Sequence, residues 1–312
     1  MLDVVVMFFI FGLIAGLLRS ELTIPPALYD SLTIFLLIAI GIKGGEGLAQ
    51  QDLLPIIPQI GAVIMLCVVQ TLLAFAVLKG IGRLDRPNAA AMAAHYGSVS
   101  VATFAVVVSW LTVHQIEFEP QMTAILAIME IPAILLGIVL AKGLSRRTHV
   151  RALLHETFLG KGIALLLGGM AIGWAAGSDG LASIKPVFYD LFKGVLALFL
   201  LEMGLIVSRQ IHVLKHNSVL VVSFGLLMPM CSALLGLLCG QLIGLSVGGV
   251  TILMTLAASA SYIAVPAAMR LSVPEANPSL SLGASLGVTF PFNIVVGIPI
   301  YYQIAVWAAG AS

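Results

Sequence analysis

"AAHYGSVSVATFA", residues 93–105, lies within an otherwise apolar run from Ala89 to Leu111. A simple membrane helix would carry leucine where this one has His95, Tyr96, Gly97, Ser98 and Ser100. Irregular backbone at membrane depth is tolerated only where it is buried in protein or lines a cavity. The stretch therefore reads as a helix interrupted near mid-membrane, and the rest of the chain has to account for the interruption.

The composition sets the surroundings. Of 312 residues, 60% are hydrophobic and 9% charged, with a mean hydropathy of +1.12. A soluble protein carries about 25% charged residues. This chain cannot cover a water-facing surface, and it reads as an integral membrane protein. A net charge of +1 without a basic run gives no footing for nucleic acid. Cys67, Cys231 and Cys239 all fall in apolar segments and read as small hydrophobes, neither a disulfide framework nor a metal cluster. The first apolar segment follows Asp3 rather than a basic stretch, so it reads as a retained span and not a cleaved signal.

A hydrocarbon core of about 30 Å takes roughly 20 apolar residues per helix. On that measure the chain reads as ten spans, at 2–18, 27–47, 58–78, 88–111, 122–142, 161–177, 185–208, 218–241, 247–271 and 279–308. Twelve of the fifteen Lys and Arg residues fall at loops or span ends of one parity, and only Lys43, Lys185 and Lys193 at the other. That positive-inside bias places both termini on the outer face of the cell (inner) membrane and makes 145–160 the main cytoplasmic loop.

The chain also resembles itself at a spacing near 160. "IPPALYD" at 24–30 matches "IKPVFYD" at 184–190, and Gly44 pairs with Gly204. "MEIPAILLGI" at 129–138 parallels "TFPFNIVVGI" at 289–298, pairing Pro132 with Pro291. "AAHYGSVSVA" at 93–102 parallels "AASASYIAVP" at 257–266. Five spans per repeat is an odd number, so the second repeat enters the membrane upside down, as in many secondary transporters. The fold class expected is all-α: ten transmembrane helices in two inverted five-helix repeats, with the fourth and ninth broken and crossing.

Both interrupted spans then have a purpose. Their second halves, beginning near Val99 and Ile263, point N-termini at one central place, where free N–H groups and helix dipoles favour an anion. Backbone non-helical at 97–100 and 261–264 is expected. The residues that would line the anion site are Gly97, Ser98, Val99 and Ser100 in one break, with Ser259, Ser261, Tyr262 and Ile263 in the other. Taken singly, each small residue also suits a close helix contact; the matched pair of interruptions is what favours a site. Glu130, just before Ile131-Pro132, is an ionisable residue in mid-span. Proline frees a helix carbonyl, and hard cations prefer oxygen ligands, so Glu130 with Thr289 and Asn293 around Pro291 forms a candidate sodium cage. A structural hydrogen bond between helices is the other reading of Glu130.

Several blocks resemble the sodium-dependent bicarbonate transporter family over essentially the whole length. They are "IPPALYDSLTIFLLIAIGIKGG" (24–45), "YGSVSVATFA" (96–105), "MEIPAILLGIVLA" (129–141) and "AASASYIAVPAAMRLSVPEANPSLSLGASLGVTFPFNIVVGIPI" (257–300). The resemblance implies sodium/bicarbonate symport by an elevator-like movement in a homotrimer, with Na+ as coupling ion. It divides the chain into gate helices at 1–57 and 161–216, core helices at 58–144 and 217–312, and a cytoplasmic linker at 145–160. It also implies a PII-like regulatory partner on the cytoplasmic face. Three departures stand out: Tyr262 occupies a position that is acidic in the cyanobacterial form, the serine–glycine–serine of span four reads Gly97-Ser98-Val99-Ser100, and the long linker of that form is missing.

Other classes fit less well. A channel needs a continuous polar pore, whereas here the polar residues gather at one level. An enzyme needs a nucleophile with a base or a metal cluster, and His95 beside serines is the only hint, so no enzymatic activity is expected. Carriers of another small organic anion share the same design and stay open as the alternative.

Overall fold

The computed structural model describes residues 3–52, 54–143, 160–213 and 218–310; it is helical throughout, without a strand among the described residues. Of the linker read at 145–160, only Gly160 falls within them. The chain runs through α1 (Val4–Leu17), α2 (Pro26–Leu48), α3 (Ile56–Gly80), α4 (Arg86–Gly97), α5 (Val101–Val113) and α6 (Met122–Lys142). It continues through α7 (Lys161–Leu181), a π-turn at Pro186–Asp190, α8 (Phe192–Val213), α9 (Ser218–Leu242), α10 (Val247–Ala258) and α11 (Ala264–Ser272). The last helix, α12 (Pro278–Ala308), contains two π-turns, Ser285–Thr289 and Asn293–Gly297, on either side of Pro291. Proline supplies no N–H and crowds the preceding turn, which widens the helix locally.

Among the described residues, seven helices are long and apolar enough to cross a membrane, counting α4 and α5 as one. Of the others, α1 and α10 are apolar but shorter, and α8 carries Lys193, Glu202 and Arg209 within its 22 residues. Large apolar side chains face outward, with Met65 61%, Leu227 61% and Trp307 81% exposed. Such a surface suits lipid, not water.

Helix starts follow ordinary capping rules. The Asp3 carboxylate accepts the Val5 N–H at 3.0 Å and pairs with Lys193 at 3.6 Å, tying the start of α1 to α8. Pro26 opens α2, where its missing N–H costs nothing.

Small residues decide which helices pair. Helix α1 packs along α8, and α2 along α7. The contact between α2 and α7 is Gly41-x-x-x-Gly45 against Gly169-x-x-x-Gly173; that between α1 and α8 is Gly12-x-x-x-Gly16 against Gly204-x-x-x-Ser208. A methyl group on Gly41 would come within 3.0 Å of the Gly169 Cα, and one on Gly173 within 2.9 Å of the Ile42 carbonyl carbon. These neighbours are backbone and cannot turn aside. Gly173→Leu is therefore expected to force α2 and α7 apart and cost at least about 1–3 kcal/mol. Thermal unfolding in detergent reads this as a clear drop in midpoint, and an unchanged midpoint would contradict the close packing.

The remaining helices form two clusters of like construction. In one, α3, α4 and α6 pack on one another; in the other, α9, α10 and α12 do so. Aromatic contacts link these to the paired helices: Phe9 of α1 meets Phe290 of α12 edge-on at 5.6 Å, and Tyr29 of α2 stacks on Phe199 of α8 at 5.5 Å.

Candidate functional site

The interruption at 93–105 is a real break. Helix α4 ends at Gly97, Ser98 is extended (φ −97°, ψ −178°), Ser100 is extended, and α5 resumes at Val101. Gly97 is required by close approach, because a Cβ there would run into the Thr71 hydroxyl and reach 3.1 Å from the Ala133 methyl. The Ser100 hydroxyl oxygen then caps α5 by accepting the Thr103 N–H at 3.1 Å.

The second break has the same build in a different place from that read in the sequence. Helix α10 ends at Ala258, Ser259 is extended (φ −79°, ψ 173°), and α11 begins at Ala264. The non-helical residues are 259–263 rather than 261–264. Ser261 plays the part of Ser100, its hydroxyl oxygen accepting the Val265 N–H at 3.3 Å. Ser98-Val99-Ser100 thus corresponds to Ser259-Ala260-Ser261, three residues off the register taken from the apolar flanks. In each break the first serine ends one half-helix and the second caps the next. The Ser-x-Ser pair was the signal in the sequence that would have found it.

The two breaks hold each other. The Ser100 N–H donates to the Ser259 hydroxyl at 2.9 Å, and the Ser100 hydroxyl donates to the Tyr262 oxygen at 2.9 Å. The Ser261 N–H donates to the His95 carbonyl at 2.9 Å. In return, His95 Nδ1 lies 2.5 Å from the Ser261 carbonyl. A carbonyl can only accept, so Nδ1 carries the proton. Ser98 donates to the Glu130 carbonyl at 3.3 Å, fastening the first break to α6. All four serines are buried, and Tyr262 also packs edge-on against Phe290 at 5.4 Å. The hydroxyls are thus occupied in building the crossing.

What borders open space is the start of each second half-helix. A cavity of about 410 Å³ is bounded by Val101 and Ala102 on one side and by Ile263 and Ala264 on another. As residues at the starts of α5 and α11, they have no carbonyl a turn earlier for their N–H groups to meet. Thr33, Leu36 and Ile40 of α2, with Phe199 of α8 and Lys161 of α7, also line the cavity. Lys161 is itself paired with Asp30 at 3.4 Å.

Glu130 lines the same cavity. It is 5% exposed, and its Oε2 is buried without a hydrogen-bond partner. A buried, unpaired carboxylate is costly and calls for a proton or a cation beside it. Pro132, two residues on, leaves a carbonyl of α6 without its N–H partner. An orphaned carboxylate and a spare carbonyl oxygen on the same helix are donors of the kind that a hard cation takes. No group of three His, Cys, Asp or Glu gathers among the described residues, so the other donors would be neutral oxygens.

Thr289 and Asn293 are not among the residues that line the cavity beside Glu130. Thr289 donates to the Gly225 carbonyl at 2.7 Å and meets the Tyr96 hydroxyl at 2.7 Å. Asn293 donates to the Ala258 carbonyl at 2.8 Å and accepts from Tyr301 at 2.8 Å. Glu130 shares no hydrogen-bonded neighbour with either. The physical reason is that Asn293 satisfies the last carbonyl of α10, and Thr289 braces α4 against α9.

Residues 4–306 match the family model of the Na+-dependent bicarbonate transporter superfamily. The chain belongs to that superfamily. No curated protein matches the sequence. Membership joins the helical, apolar build to a transport function in the membrane, with sodium dependence as a property of the superfamily. Within this transporter, the cavity between the half-helix starts and Glu130 is the candidate place for the transported ions.

Proposed function

We propose that this protein is a secondary active symporter that takes up bicarbonate together with sodium by alternating access. The observation that carries the proposal is the unpartnered Glu130 carboxylate in the same cavity as the first residues of both second half-helices. A cation beside Glu130 and an anion at the helix starts would each lower the cost of the other in a low-dielectric site. Each ion then binds poorly alone, which is the basis of coupling.

The architecture proposed is ten crossings in two inverted five-helix repeats, with both termini on the outer face of the inner membrane. Packing in matched pairs supports it. The contact of α1 with α8 has its counterpart in that of α7 with α2, and α3 with α4 in α9 with α10. The same small-x-x-x-small spacing closes both contacts, Gly41 and Gly45 against Gly169 and Gly173, and Gly12 and Gly16 against Gly204 and Ser208. Residues 1–57 and 161–216 would form the gate; 58–144 and 217–312 would form the core that moves past it as an elevator. A homotrimer and a PII-like regulator on the cytoplasmic face belong to the same proposal, and no enzymatic activity does.

One observation favours a second reading. The cavity walls are mostly apolar, and about 410 Å³ exceeds what an anion of four heavy atoms fills. A sodium-coupled carrier of a small organic anion would use that space. Competition separates the two. Labelled bicarbonate uptake into proteoliposomes is measured against formate, acetate, pyruvate and a bile acid. Bicarbonate selectivity with weak competition supports the first reading; strong competition by an apolar carboxylate overturns it in favour of the second.

A further inference from the structure

A second cavity, of about 440 Å³, lies at the other end of the same helix pair. Helix α2 lines the first cavity with residues from Thr33 to Ile40 and the second with residues from Ile40 to Gly47, followed by Gln50 just past its end; Ile40 is common to both. Helix α5 behaves alike, with Val101 to Ala105 on the first and Phe104 to Thr112 on the second. The two cavities therefore lie end to end along one interface, parted near Ile40. At about 1.5 Å per residue, Thr33 to Gly47 covers roughly 21 Å, most of the hydrocarbon thickness.

Lys43 stands in the second cavity, about one helical turn past the partition. Its ammonium lies 4.0 Å from the centre of the Phe192 ring and 5.0 Å from that of Tyr189. Among the described residues no carboxylate oxygen pairs with it. Glu46, one turn along, is taken by Lys185 at 3.4 Å and by the Tyr189 hydroxyl. Asp190, exposed on the preceding turn, acts on Lys43 only through space. Ring faces hold a cation in place without neutralising it. The cavity thus carries a held positive charge, with the Thr112 and Thr123 side chains on its wall.

We propose that Lys43 is a second anion-receiving group, which captures a small oxyanion on the far side of Ile40 from Glu130. This rests on the transport reading and adds the point of entry: the outer vestibule selects for negative charge before the anion reaches the half-helix starts. Electrostatic focusing in a cleft with low-dielectric walls raises local anion concentration by about tenfold or more.

The test does not need transport. Thr112, exposed on the cavity wall, is replaced by cysteine, with Cys231→Ser and Cys239→Ser to remove the accessible thiols and the buried Cys67 retained. Labelling rates in detergent are compared for a sulfonate-bearing and a trimethylammonium-bearing methanethiosulfonate, with Lys43, Lys43→Gln, Lys43→Met and Lys43→Arg. The ratio of anionic to cationic rates is expected to fall about tenfold in the Gln and Met variants and to hold in Arg. Bicarbonate or formate should slow labelling only where the charge is kept. A ratio unchanged within about twofold in a folded Gln or Met variant overturns the proposal. So does the absence of anion protection. A native protein that shows both effects but transports no anion would instead overturn the symport reading and leave Lys43 as an anion site.

Discussion

Replacing Glu130 with glutamine is expected to raise the sodium concentration for half-maximal uptake by about tenfold or more. Glutamine keeps the size and the hydrogen-bonding capacity and removes only the charge. In a site with little water, the loss of a cation's counter-charge is worth several kcal/mol, and each 1.4 kcal/mol is tenfold in affinity. The same coupling weakens the apparent affinity for the anion. Stability gives an independent sign. In sodium-free buffer the native protein buries an unpaired carboxylate, so Glu130→Gln should unfold no earlier than the native chain. Sodium should raise the native midpoint, as any ligand of the folded state does, and leave that of the variant nearly unmoved. A Glu130 that only braces two helices would give the opposite pattern: a lower midpoint and an unshifted sodium curve.

Ser261→Leu is expected to abolish uptake. Ser261 is 2% exposed, its backbone holds His95 through two hydrogen bonds, and its hydroxyl caps α11. Leucine adds bulk where the breaks touch and removes the cap, at a combined cost of roughly 2–4 kcal/mol. It would also cover the helix start that faces the cavity. Ser261→Ala separates the contributions. It removes only the cap, about 1 kcal/mol, and should fold while transporting more slowly. Native uptake rates in a folded Ser261→Leu protein would show that the start of α11 is not where the anion binds.

The parts of this molecule that composition decides were legible in the sequence. Each long apolar run became helix, and the first break fell where glycine and two serines interrupt the alanines. Glu130 stood out because an ionisable residue in such a run has few bland explanations. What escaped depended on partners far along the chain. Ser259 is helix-compatible by itself; it ends α10 where the Ser100 N–H, 159 residues away, donates to its hydroxyl. Thr289 and Asn293 carry oxygen atoms suited to a cation, but the Thr289 hydroxyl bonds Tyr96 and Gly225, and the Asn293 oxygen accepts from Tyr301. Nor did the glycine pairs declare themselves, since x-x-x spacing acquires meaning only when a second helix lies opposite. The Ser-x-Ser correspondence was readable, and the apolar matches around it pulled the register by three residues.

The central claim is coupling of an anion to sodium through one cavity, and the most direct measurement is uptake of labelled bicarbonate into proteoliposomes with and without an inward sodium gradient. Accumulation above the external concentration that collapses when the gradient is dissipated, and is absent in Glu130→Gln at the same sodium concentration, is the expected result. Uptake that merely equilibrates and ignores sodium, or that accumulates equally in native and Glu130→Gln protein, would contradict it.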